Sequence, residues 1–304
     1  MKFQIVDVFA ERRYAGNQLA VVRADGTESE SELQQIAQEF GFSETVFLLP
    51  SPSASQDSIA TAAVPVRIFT PTEELPFAGH PTLGAAWVLR FLGMTGSRSG
   101  NGIVLQEGVG PIRTWFDGDG PDATIWMQQK PPEFGPKYEK SAVAAALGLR
   151  PDDVDPQLPV QRVSTGIPFL IVPLTTLDSV KRARDRAEFV ADLFADEKPV
   201  PLFVFARGAE EPGHHLHSRM FAGQYGIAED PATGSANGCL AGYLVQHRAL
   251  GDGPVQLAVE QGYEIGRPSI LYLDAEVTSS VEGTSVISVK VGGKVRLVAE
   301  GNLV

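Results

Sequence analysis

At 304 residues the chain exceeds the usual size of a single domain, so two domains of about 150 residues each are expected. With 43% hydrophobic and 20% charged residues it reads as a soluble globular protein with material for two cores. A formal charge of −12, scattered rather than gathered into blocks, argues against a nucleic-acid partner. The one cysteine, Cys239, excludes an internal disulfide.

The first stretch, residues 3–9 (FQIVDVF), is rich in β-branched and aromatic residues and predicts a strand. It meets Asp7 and Glu11 before any long apolar region, so no secretory signal is expected. Gly16-Asn17 punctuates the turn into a second strand. SESELQQIAQEFGF predicts a helix with Ser31 as N-cap, an apolar stripe of Leu33, Ile36, Ala37 and Phe40, and a stop at Gly41. SETVFLLP is a short strand with Glu44 near its start, followed by a loop over 51–65 and a strand over 66–71.

Residues 82–92 have helical length, and three strands follow, separated by Gly, Asp and Pro. PPEFGPK (131–137) is the best linker, dividing the chain into halves at 1–130 and 131–304. Beyond it come a short helix opened by Ser141 and closed by Gly148, two strands, and one or two helices over 178–194. Two further strands lead into EDPATGSANGCLAGYL (229–244), which reads as strand end, turn and helix start. The remainder is mostly strand, ending in a hairpin around Gly292-Gly293. The longest apolar stretches, such as 169–174, are too short to span a bilayer, so a cytoplasmic protein without a membrane partner is expected.

Many short strands with one or two helices per half point to an α+β fold or small barrel-like halves rather than a doubly wound sheet. Neither a Gly-rich dinucleotide fingerprint nor a P-loop occurs.

The turn at 229–244 has an earlier counterpart, EELPFAGHPTLGAAWVL (73–89), at an offset of 155 residues. Glu74, Pro76, Gly79, Ala86 and Leu89 meet identical residues there, and His80 meets Ser235. A repeat at half length favours two related halves. Two helix N-termini with unsatisfied N–H groups would then serve one cleft, where they could bind a carboxylate or stabilise an oxyanion. Ser235 could equally be an ordinary N-cap; His is a poor cap, so His80 leans towards function. Such a cleft suggests proton chemistry beside a carboxylate. A two-thiol racemase is excluded, because Cys239 has no partner, and a carboxyl or imidazole has to move the protons.

VDVFAERRYAGNQLAVV, FSETVFLLP, RIFTPTEELPFAGHPTLGAA, HSRMFAGQYGIAEDPATGSANG and QGYEIGRPS, taken in order, resemble the phenazine biosynthesis isomerase (PhzF-like) family, with its diaminopimelate-epimerase fold. The resemblance runs nearly end to end. It implies two pseudo-symmetric domains, each a β-barrel-like sheet around a central helix, with the active site in the cleft between them. It also implies a homodimer that needs no cofactor and no metal, acting on a small carboxylate-bearing substrate. The phenazine enzyme isomerises trans-2,3-dihydro-3-hydroxyanthranilate by moving a proton across its ring.

Carried over by motif, Glu44 is the acid/base, with a pKa raised by partial burial. His80 hydrogen-bonds the substrate and relays or orients protons. Asp230 binds the substrate amine or orients the acid/base. Ser235, with the amides of Gly79, Gly234 and Ser235, holds the carboxylate, and Asn17 lines the cleft. Asn237 stands where the phenazine enzyme tends to have alanine and is expected to alter the pocket wall. The competing readings are an isomerase or epimerase of another amino or hydroxy acid, and a metabolite- or protein-binding relative without catalysis. A metal site at His214, His215 and His217 lacks a matching ligand set, and Ser235 lacks the glycine frame of a hydrolase nucleophile.

Overall fold

The structure is a computed structural model that describes residues 1–50, 63–94, 102–195, 197–279 and 285–304. Most of the loop read over 51–65 lies outside the described residues. The chain forms two compact units, Met1–Gln128 with Gly292–Val304, and Gln129–Val291.

In unit 1, β1 (Lys2–Val8) pairs antiparallel with β2 (Asn17–Arg23). Helix α1 (Glu30–Phe40) crosses over to β3 (Thr45–Leu48), which runs parallel to β2. Strand β4 (Val64–Phe69) returns antiparallel and pairs with the short β5 (Glu74–Leu75). After α2 (Gly79–Phe91), β6 (Gly102–Glu107) lies parallel to β4, and β7 (Gly110–Asp117) and β8 (Thr124–Gln128) follow antiparallel.

Helix α1 starts two residues earlier than its sequence suggests. Ser29, not Ser31, is the cap, and its hydroxyl accepts from the Glu32 N–H. Gly41 ends the helix in the left-handed region at φ 64°, and Leu33 and Ala37 bury against Phe47 and Phe69.

Unit 2 repeats this order. Strand β9 (Glu133–Tyr138) pairs antiparallel with β10 (Val160–Ser164) after α3 (Lys140–Ala146), and β10 with β11 (Pro168–Pro173). Helices α4 (Leu177–Arg182) and α5 (Ala187–Leu193) cross to β12 (Leu202–Arg207), parallel to β11. Strand β13 (Leu216–Ala222) returns antiparallel and pairs with β14 (Ile227–Asp230). Beyond α6 (Gly234–Gln246), β15 (Val255–Gln261) runs parallel to β13 and antiparallel to β16 (Ser269–Ser279).

The pairing sense therefore follows one sequence in both units: antiparallel, parallel, antiparallel, parallel, antiparallel. Helices α2 and α6 have 13 residues each and start and stop at the 155-residue offset. Residues 79–89 and 234–244 are all buried, so each helix is enclosed on every side and forms the centre of its unit. Helix α2 packs on β1, β2, β3, β6, β7 and β8, and α6 on β10, β11, β15 and β16. This is the α+β fold the sequence implies, a strand layer around a central helix built twice.

Three local expectations change. PPEFGPK is not a linker, because β9 occupies most of it. Gly135 and Pro136 fall where the β9–β10 register breaks, a bulge that tolerates a proline on a mostly exposed strand. The last residues group with the first unit, because the C-terminal strand Val295–Asn302 pairs antiparallel with β1 along its whole length. Gly292 and Gly293 make no hairpin turn but end the strand Ser285–Gly293. A Cβ there would meet Trp126 at 2.6 Å and Phe9 at 2.3 Å, so the glycines are set by ring packing.

Among the described residues, no helix is long and apolar enough to cross a membrane.

Candidate active site

In unit 1, three polar side chains meet where β2, β3 and α2 begin. Asn17 is the first residue of β2, Glu44 immediately precedes β3, and His80 is the second residue of α2. The position of Asn17 depends on Gly16. At φ 68° a Cβ on Gly16 would lie 2.3 Å from the Val8 carbonyl oxygen, so only glycine closes this turn.

The Asn17 amide nitrogen lies 3.4 Å from His80 Nδ1, and Ser43 Oγ donates to Asn17 Oδ1 at 3.4 Å. His80 Nε2 is 3.6 Å from Glu44 Oε2, with the Glu44 side chain 16% exposed and the His80 ring 6% exposed. Burial pushes the Glu44 carboxyl up to about 7, only partly offset by a hydrogen bond from Ser43. Asn17, Glu44, Gly79 and His80 thus share one corner of unit 1.

Asp230, Gly234 and Ser235 likewise gather in unit 2, at the passage from β14 into α6. Thr233, not Ser235, is the N-cap residue of α6, and its hydroxyl turns away from the helix to donate to Asp230 Oδ2. Ala78 caps α2. Neither central helix has a side-chain cap bond, and His80 and Ser235 sit just inside their helices. The ordinary capping role is thereby ruled out for both. N–H groups at the start of a helix can bind an anion.

Asn237 does not form a pocket wall. Fully buried, it donates to Gln261 Oε1 at 3.0 Å and to the Thr233 carbonyl at 3.1 Å. Gln261 in turn accepts from the Thr233 N–H and donates to the Asp230 carbonyl and Thr233 Oγ1. The Asn237 side chain thus braces the Asp230–Thr233 turn from behind.

Unit 1 has a counterpart of this brace built from different side chains. Thr82, at the offset of Asn237, donates to Glu107 at the end of β6 at 2.6 Å. The second Glu107 oxygen is buried without a hydrogen-bond partner, and burial raises the carboxyl to about 7 against the bond from Thr82. Where unit 2 has a neutral amide, unit 1 buries an acid. Glu107→Gln is therefore expected to stabilise the protein by about 1–3 kcal/mol at pH 8. The gain should vanish near pH 4.5, because a carboxyl whose folded pKa is raised contributes stability at low pH and loses it as pH rises through 7. Urea unfolding of both proteins at the two pH values measures the difference.

Two histidines of the GHHLHS segment, His214 and His217, serve a charge network. His217 Nδ1 meets Glu260 Oε2 at 2.8 Å, His217 Nε2 meets Glu264 Oε1 at 2.9 Å, and His214 Nδ1 meets Glu260 Oε1 at 2.8 Å. Arg219 grips Glu229 with two nitrogens at 2.8 and 2.7 Å, which pins β14 directly before Asp230. Among the described residues no group of three or more His, Cys, Asp or Glu is arranged to hold a metal ion. Cys239 is fully buried in α6, and burial pushes its thiol up to about 12 despite a contact with Thr165.

Sequence reasoning assigned no role to Ser43, Glu107, Thr233, Gln261 or the Glu260 network. Ser43 and Thr233 adjoin assigned residues inside FSETVF and EDPATGSA, and Gln261 opens QGYEIG. Glu107 had no signal except its place at the end of a strand facing a central helix.

A family model described as phenazine biosynthesis-like protein matches residues 6–301. The chain is 35% identical to an uncharacterized isomerase of Mesorhizobium japonicum, over 99% of this chain and 98% of the relative. It is 33% identical to the trans-2,3-dihydro-3-hydroxyanthranilate isomerase of Pseudomonas aeruginosa, over 99% and 98%. Its fold matches the crystal structure of a Bacillus anthracis phenazine biosynthesis protein of the PhzF family, with a TM-score of 0.87 at 28% identity and coverage of 100% and 99%. A probable proline racemase of Agrobacterium radiobacter shares the fold alone, at TM-score 0.63 and 12% identity over 100% and 92%. The fold is that of the racemase and epimerase class. The chain belongs to the phenazine biosynthesis-like (PhzF) family and is an isomerase of it.

Proposed function

We propose that this isomerase moves one proton between two atoms of a small carboxylate-bearing ring substrate, with Glu44 as the group that takes and returns it. The observation that supports this most is a partly exposed carboxyl near pKa 7 beside an imidazole. A carboxyl in that range is matched to both accepting and donating a proton near neutral pH. Glu44 accepts a proton from a ring carbon, leaving the electron pair delocalised on the substrate, and then delivers the proton to a second carbon. The enzyme ends as it began.

Unit 2 has no carboxyl at the corresponding position. Residue 201, which precedes β12 as Glu44 precedes β3, is proline. That asymmetry favours one acid/base over a pair of opposed bases. The start of α6, with Ser235 and the N–H groups of Gly234 and Ser235, is the candidate for the substrate carboxylate, and Asp230 for the substrate amine. Trans-2,3-dihydro-3-hydroxyanthranilate has this pattern of groups and is the first substrate to test.

The test is proton NMR of candidate substrates in deuterated water with the wild-type enzyme. Deuterium entering a ring carbon of the dihydro-hydroxyanthranilate, with isomer formed, supports the reading. Uptake into another amino or hydroxy acid keeps the chemistry and changes the substrate. No uptake across the panel, with binding retained, overturns catalysis in favour of a binding role. Because the base form of Glu44 starts the reaction, kcat/KM is expected to rise with pH through about 7 and then level, as a pH–rate profile shows.

A further inference from the structure

We infer that Asn17 is a positioning residue that fixes His80 in the tautomer with its proton on Nε2, facing Glu44. The inference rests on the proton-transfer reading above and adds a role to Asn17 beyond lining a binding site.

The geometry sets the tautomer from one end. The Asn17 NH₂ group lies 3.4 Å from His80 Nδ1 and can only donate, so Nδ1 must present its lone pair. The amide oxygen faces away from the ring, 3.4 Å from Ser43 Oγ, and the NH₂ group faces Nδ1. A neutral imidazole that accepts at Nδ1 bears its proton on Nε2.

The opposite end agrees. Nε2 lies 3.6 Å from Glu44 Oε2, and that oxygen is buried with no hydrogen bond. Once Glu44 is a carboxylate, a lone pair on Nε2 would face a lone pair on Oε2, whereas N–H there faces it favourably. The separation is slightly long for a hydrogen bond, as is common for catalytic pairs before substrate closes the site.

The N–H groups of Asn17 and His80 thus point the same way, towards the Glu44 carboxylate that accepts. The imidazole steadies the charge of Glu44 through Oε2. Asn17 holds the imidazole ring through Nδ1 and so governs the direction of the His80 N–H. Its backbone is fixed by the Gly16 turn and its side chain is 3% exposed.

The test uses the full chain labelled with ¹⁵N-histidine, whose five histidines allow the His80 signals to be assigned by their loss in His80→Gln. In the wild type without substrate, neutral His80 is expected to show a protonated Nε2 and a bare Nδ1. In Asn17→Asp the pattern should reverse, because a carboxylate accepts from Nδ1–H. The rate of solvent deuterium uptake should then fall on the order of a hundredfold or more, as expected when a catalytic imidazole is held in the wrong tautomer. Thermal unfolding and the four other histidine signals check that the variant is folded.

A wild-type His80 protonated on Nδ1 overturns the inference without any variant. So does an unchanged tautomer in folded Asn17→Asp. Because the tautomer is read without substrate, it stands or falls apart from the reaction. An Nε2–H that reverses on substitution, in a protein that exchanges no substrate proton, sinks the proposed activity and leaves the role of Asn17 intact.

Discussion

Glu44→Gln is expected to lower deuterium exchange into the substrate by about 10²- to 10⁴-fold, the range for loss of a positioned general acid/base. The amide keeps the shape and burial of the side chain but has no basic oxygen that can accept a carbon-bound proton and return it. Substrate affinity should change only a few-fold, because Glu44 is proposed to move the proton and not to hold the substrate carboxylate. Parallel measurement of exchange rate and of binding separates the two effects. Glu107→Gln is the proper control. Both acids are raised to about 7 by burial, but Glu107 is bonded to Thr82 behind α2, away from the corner where Asn17, Glu44 and His80 meet. Exchange that survives Glu44→Gln, or that collapses equally in Glu107→Gln, would remove Glu44 from its role.

The second large effect falls on stability. Glu260 is fully buried and accepts four hydrogen bonds, from His214, His217 and the N–H groups of Glu210 and Glu211. Burial would raise its carboxyl, but these donors outweigh it and hold the group well below its ordinary range. Burial likewise disfavours a charged His217, and the carboxylates of Glu260 and Glu264 overcome it and raise the imidazole. Glu260→Ala leaves His217 buried with half its compensation and two N–H groups without an acceptor. A loss of about 3–5 kcal/mol is expected, as for breaking a buried pair on one side.

The pH dependence has a definite sign. The Glu260 contribution is present above its unfolded pKa of about 4.5 and is lost as pH falls below it. The His217 contribution is present below about 6.5 and is lost as pH rises through about 9. The difference between wild type and Glu260→Ala in urea unfolding should therefore peak between about 4.5 and 6.5 and narrow on either side. A flat difference would mean that the network contributes packing rather than charge.

Much of the architecture was legible because the chain states it twice. A 155-residue offset with five identities located both central helices, and the β-branched runs located most strands. The resemblance then supplied the residues that composition could not rank, Glu44 above all, since a glutamate before a strand is unremarkable by itself. What escaped were features set by partners distant in sequence. The C-terminal strand belongs with β1 because of a ladder nearly 300 residues apart, and no local pattern encodes that pairing. PPEFGPK has the composition of a linker, and only a bulge opposite Arg162 lets it serve as a strand. Asn237 reads as a pocket residue from its place in a candidate binding motif, whereas its helix turns the amide towards Gln261.

Cys239 gives the molecule a use its chemistry does not suggest. The chain has one thiol, it lies at zero exposure within α6, and burial keeps it far from its reactive thiolate form. An alkylating reagent can reach it only when the strand layer of unit 2 opens around its central helix. The native protein therefore contains a single-site clock for the opening of that unit, with no engineered label and no competing cysteine to correct for.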